Sequence, residues 1–190
     1  MTKQFDLWGE SPQLHNVFFA VRPDNEVAAR VADIADKFVA SRDMNAYLQP
    51  AERLHVSLVA VREFAGDPPP ATIEEAQRGA RAVSMAPFTV VFDRITSFGG
   101  GRGQRPIVLA GGDGATGLYR LHEALQLALM KAGVKTSRST SFTPHMTIMY
   151  ADHVCDVPIA PVSWTVDAIV LIDSLVGQST HRLMGQWPLR

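Results

Sequence analysis

Cysteine is all but missing: Cys155 stands alone in 190 residues, which excludes an internal disulfide. Met1 to Pro12 also lacks a positively charged start followed by an apolar run, so a protein of the reducing cytoplasm is expected. No apolar stretch approaches the about 18 residues that a membrane helix needs, and no membrane association is expected. Charge of one sign is not in excess: 18 Lys and Arg face 19 Asp and Glu, giving a formal net charge of -1. Broad adhesion to duplex DNA needs a basic face and is excluded, while a local positive pocket for one phosphate is not.

What is present is a globular composition, 46% apolar and 19% charged, at a length that suits one domain or two small lobes sharing a core. The order of segments repeats. Val17 to Val21 reads as a strand, and Asp24 or Asn25 caps a helix whose apolar face is Val27, Val31, Ile34 and Phe38. A polar loop follows, then a second apolar run, Leu54 to Val61. In the second half Ile107 to Ala110 is the strand, Leu118, Leu121, Leu125, Leu129 and Ala132 mark the helix, and Gly133 is its C-terminal stop. Phe142 to Tyr150 closes the unit. Val17 to Ile107 and His55 to His145 are both offset by 90 positions. Each unit is followed by one more strand candidate, Phe88 to Ile95 after a short helical stretch at Thr72 to Ser84, and Trp164 to Leu171.

Side chains two apart on a strand share a face. His55 and Ser57 therefore project together while Val56 and Leu58 turn inward, and His145 and Thr147 repeat the arrangement opposite Met146 and Ile148. If a pseudo-twofold axis relates the halves, the two pairs face each other across a cleft. An imidazole that takes a proton from water and another that protonates a leaving oxygen suit phosphodiester hydrolysis. Two hydroxyls donating to the non-bridging oxygens stabilise the charge that develops, without a metal.

Arg53-Leu54-His55-Val56-Ser57-Leu58 and Phe142-Thr143-Pro144-His145-Met146-Thr147-Ile148 resemble the paired motifs of the 2H phosphoesterases. Their flanks, with Pro50 ahead of the first, are similar to the RNA 2′,3′-cyclic phosphodiesterase branch, also called 2′-5′ RNA ligase-like. So is the closing run from Ile172-Asp173-Ser174 to Trp187-Pro188-Leu189. The resemblance covers roughly residues 15 to 190. It implies an α+β, bilobal fold: two pseudo-symmetric strand–helix–strand units, antiparallel sheets flanking a central cleft, helices outside. It implies one domain over 1–190, with an extension at 1–14, a first-motif lobe around 15–100 and a second-motif lobe around 101–190. Opening of an RNA 2′,3′-cyclic phosphate to a 2′-phosphate is the implied reaction, with weak reverse 2′-5′ ligation. His55 and His145 are then catalytic, His55 as acid and His145 as base, and Ser57 and Thr147 bind the phosphate. Ser57 stands where threonine is more usual. Tyr150 stands where that branch often has arginine and is carried as a further phosphate contact. No cofactor or metal is expected, and the chain is expected to be a monomer. Its substrate is expected to be an RNA terminus or a small cyclic nucleotide. A hydrolase of another 2′,5′-linked or small cyclic nucleotide, or a non-catalytic RNA-end or nucleotide-binding module, are the alternatives.

Other features are weaker. Gly112-Asp113-Gly114-Ala115-Thr116-Gly117 spells a dinucleotide fingerprint, yet Lys135 to Ser141 lacks the acidic residue expected about 20 positions on. A flexible connector, placed as a loop over the cleft, is expected instead. His122 is expected at the surface, and His15 and His181 lack a partner at ligand spacing. His153 and Cys155 have no second pair to complete a zinc site. Arg53, Arg105 and Arg138 are considered as phosphate contacts, although a solvated surface position is favoured for each alone.

Overall fold

The computed structural model describes residues 12–99, 103–136 and 141–190. β1 (Leu14–Val21) leads into α1 (Asn25–Ala40), whose first turn is capped by Asp24, the carboxylate accepting from the Val27 N–H at 2.8 Å. β2 (Ala46–Leu48) and a 3-10 turn at Ala51–Arg53 precede β3 (Val56–Ala65). α2 (Pro70–Arg81) and β4 (Phe88–Ser97) complete the first half. The second half runs β5 (Arg105–Ala110), a 3-10 turn at Asp113–Ala115, α3 (Thr116–Lys131) and β6 (His145–Ala151). It closes with β7 (Asp156–Val166), β8 (Ala168–Leu175) and β9 (Thr180–Pro188). Gly133, just past α3, takes φ +92°, the left-handed conformation expected of a helix stop. Among the described residues no helix is long and apolar enough to cross a membrane.

The strands form one open antiparallel sheet in the order β7-β4-β5-β6-β3-β1-β8-β9, with β2 on β6. Its two four-stranded halves meet at a single residue pair, Val56 opposite Met146. β1 matches β5 and β3 matches β6, as the 90-residue offset requires. The third strand of each unit crosses over: β4 pairs with β5, and β8 pairs with β1. The lobes therefore do not divide at residue 100, because each half of the chain completes the other's sheet. The strand expected at Trp164 to Leu171 is two strands, β7 in the second-motif half-sheet and β8 in the first, joined by Asp167 alone.

α1, α2 and α3 share one continuous core with the inward face of both half-sheets, so the helices lie on the side away from the cleft. A smaller cluster of Phe18, Ala20, Val170 and Ile172 lines the opposite face of the first half-sheet. The Gly112–Gly117 segment is not a flexible loop over the cleft. It is a packed turn into α3, and a Cβ on Gly117 would lie 2.1 Å from the Phe88 ring.

Candidate functional site

His55 and His145 enter the site from either side of the Val56–Met146 pair, one residue before each. Both rings are held the same way. Nδ1 of His55 donates to the Arg53 carbonyl at 2.7 Å, and Nδ1 of His145 donates to the Thr143 carbonyl at 2.7 Å. A carbonyl only accepts, so the proton of each neutral ring sits on Nδ1 and Nε2 is the reactive nitrogen. An aromatic ring backs each imidazole: Phe18 lies 5.1 Å from His55, and Phe98 meets His145 edge-on at 4.8 Å.

A β-bulge follows each histidine and decides which side chains join it. In β3 the bulged residue is Leu58, since Phe19 pairs with Val59 and Ala20 with Ser57. In β6 it is Ile148, since Ile107 pairs with Met149 and Val108 with Thr147. The extra residue shifts the alternation by one. Met146, Ile148, Met149 and Ala151 are all buried, while His145, Thr147 and Tyr150 are partly exposed on the other face. Tyr150 thus shares the cleft face with His145 and Thr147, which simple alternation from His145 would deny it. At the matching places in β3 stand Ser57 and Ala60, both exposed. Tyr47 of β2 lies directly opposite Tyr150 and so shares its face; its hydroxyl is 3.2 Å from Ser179 Oγ in the β8–β9 turn.

Burial pushes the His55 pKa below the usual 6.5, and the charges of Arg53, Arg22 and His145 add to that; the Arg53 carbonyl opposes it. Electrostatic coupling between His55 and His145 places the two rings in one field. A third histidine, His181 of β9, stands 5.3 Å from His55 and meets the Phe18 ring edge-on at 5.9 Å. Burial, with the charges of His55, Arg53 and Arg22, lowers its pKa to about 4. Sequence spacing offers no signal for His181, because its neighbours arrive from distant strands.

His122 is not at the surface. It lies four residues after Leu118 and three before Leu125, so it belongs to the buried face of α3 and is 8% exposed. Its Nδ1 donates to the carbonyl of the bulged Leu58 at 2.8 Å, and its ring stacks on Phe142 at 4.2 Å. One side chain thereby ties β3 and the segment leading into β6 to α3. His15 is buried on the helix side with Asp173, Nδ1 to Oδ2 2.9 Å. His153 meets Phe38 of α1 edge-on, and Cys155 is buried in the core that the helices share, where burial raises the pKa of its thiol. Arg53 lies beside the third histidine, its Nη2 3.5 Å from His181 Nε2. Arg105 pairs with Asp152 at 3.5 Å, and Arg138 lies outside the described residues.

The sequence profile of the 2′-5′ RNA ligase superfamily matches residues 23–178, more than four-fifths of the chain. The chain belongs to that superfamily. The matched span begins just before α1 and ends in the β8–β9 turn, so it contains both histidine motifs. The superfamily is one of 2H phosphoesterases. Among solved structures, E. coli LigT complexed with 3′-AMP superposes with a TM-score of 0.73 at 19% identity, covering 93% of this chain and 98% of LigT. TT0787 of Thermus thermophilus gives 0.72 at 21% identity, covering 92% and 98%. Usb1 of Kluyveromyces marxianus gives 0.53 at 13% identity, covering 94% and 99%. These likenesses carry the fold across the superfamily. No curated protein matches the chain.

Proposed function

We propose that this chain hydrolyses a cyclic phosphodiester, with an RNA 2′,3′-cyclic phosphate opened to a 2′-phosphate as its reaction. His145 Nε2 takes a proton from water, and the water oxygen attacks phosphorus. The bond from phosphorus to O3′ breaks, and His55 Nε2 gives its proton to that oxygen, leaving a 2′-phosphate and a 3′-hydroxyl. Ser57, Thr147 and Tyr150 donate hydrogen bonds to the non-bridging oxygens. The lowered pKa of His55 makes its imidazolium a stronger acid than an ordinary histidine, and the arriving phosphate anion draws the required proton onto it. A 5′-hydroxyl in place of water opens the ring in the same way: a bond from phosphorus to O5′ forms as the bond to O3′ breaks, leaving a 2′-5′ phosphodiester, the ligating step. The reaction asks only for protons to move between two imidazoles.

The observation that carries this reading is the matched Nδ1 tether, which leaves two equivalent Nε2 atoms as the proton carriers. The superfamily supports a phosphodiester as the bond acted on. A panel of cyclic phosphates assayed with EDTA present tests it. Each of His55→Ala and His145→Ala is expected to lose about 10²-fold or more in kcat. Substantial hydrolysis by either variant overturns the mechanism. Binding without turnover assigns a binding module instead, and preference for mononucleotides over cyclic-phosphate-ended oligomers assigns a small-nucleotide hydrolase.

A further inference from the structure

The first half-sheet carries a cluster that the two-histidine reaction does not use. Arg53, in the 3-10 turn, places Nη2 3.5 Å from Nε2 of His181. Arg22, just past β1, donates from Nη2 to the Glu52 carbonyl in that same turn. The two guanidinium groups are thus fastened to one short segment. Among the described residues neither is paired with a carboxylate, while Nε of Arg53 is buried without a hydrogen-bond partner. In a chain of formal net charge -1, such a pair of adjacent cations is a local exception. A guanidinium stays protonated and its forked donors match the oxygens of an anion.

His181 completes the cluster. Its pKa of about 4 makes it neutral at pH 7, and an arginine nitrogen can only donate, so Nε2 of His181 is the acceptor and Nδ1 carries the proton. The cluster therefore offers donors: two forked guanidinium groups and one ring N–H. It lies on the far side of His55 from His145. β3 separates β6 from β1, β8 and β9, and His181 is on β9. By strand order, a phosphate held between the two tethered histidines and the ring of His181 lie on opposite sides of His55.

We propose that Arg22, Arg53 and His181 form a second phosphate subsite, which takes the phosphate on the 5′ side of the nucleotide whose cyclic phosphate is opened. The subsite rests on the phosphodiesterase reading above for the position of the first phosphate. Guanidinium forks match phosphate oxygens in pairs, and the partly buried setting of Arg53 keeps the contact from being fully screened.

Calorimetric titration with product analogues tests this without turnover, using adenosine 2′-phosphate and adenosine 2′,5′-bisphosphate as probes. The wild-type chain is expected to bind the bisphosphate about tenfold tighter than the monophosphate or better. Arg22→Gln and Arg53→Gln are each expected to shrink that ratio, and the double variant to bring it near unity. Arg22 is exposed and makes one backbone contact, so its variant keeps the test readable if Arg53→Gln misfolds. Equal binding of the two probes by the wild-type chain overturns the subsite, as does a ratio that survives Arg22→Gln in folded protein. Binding of the bisphosphate through the arginines, with no contribution from His55 or His145 in their alanine variants, keeps the subsite and removes the two-histidine reading.

Discussion

A histidine whose Nδ1 is tied to the carbonyl two residues earlier presents only Nε2 to whatever lies in front of it, and His55 and His145 are both tied in this way. His181 is held differently. Its ring accepts from Arg53, and its folded-state pKa of about 4 lies below the ordinary 6.5. Folding therefore favours the neutral ring. As pH falls from 6.5 towards 4 the unfolded chain binds a proton that the folded chain refuses, and stability is lost across that window. Thermal melts of the wild-type chain are expected to drop between about pH 7 and about pH 4.5. His181→Gln, which cannot titrate there, is expected to drop less; an equal drop would show that His181 is not the group responsible.

Elements were legible in the sequence where their period was regular. The helix faces of α1 and α3, the Asp24 cap and the Gly133 stop follow from spacing alone, and so does the pairing of His55 with Ser57 and of His145 with Thr147. The bulges at Leu58 and Ile148 were not legible, since an extra residue in a run of Val, Leu, Ile and Met leaves no mark in hydrophobicity. The break at Asp167 is similarly hidden within a single apolar stretch. His181 escaped because burial beside Phe18 depends on which strands adjoin, a property of topology, and Arg22 because its contact with the Glu52 carbonyl joins residues 30 apart. The Gly112–Gly117 segment misled for the opposite reason: Gly114 and Gly117 serve close packing, against Val91 and Phe88. Gly117→Ala is expected to destabilise the chain by up to about 2 kcal/mol in chemical denaturation, because the added methyl meets Phe88 and overpacking of about 1–3 kcal/mol outweighs the helical gain of about 1 kcal/mol. A stabilised variant would mean that Phe88 moves aside without cost.

At the scale of the whole molecule the exchange of β4 and β8 makes the two lobes one cooperative unit. Once Trp8 is replaced by Phe, the two remaining tryptophans report on them separately. Trp164 in β7 packs edge-on against Phe92, 5.5 Å away, in the second-motif lobe, and Trp187 in β9 lies 6.1 Å from Phe19 in the first. In that background the fluorescence unfolding curves of Trp164→Phe and Trp187→Phe are expected to show a single transition each, and the circular-dichroism curve of the wild type is expected to show one as well. Any shift in midpoint should appear equally in both probes. Two transitions in either variant would mean that the lobes melt independently.

The passage from β7 to β8 through Asp167 also has a mechanical result. A polypeptide that changes half-sheets within one residue has no slack there, and the contact at Val56 and Met146 pins the same boundary from the middle. A wide jaw-like rotation of one half-sheet against the other therefore has to break that contact or bend the backbone at Asp167.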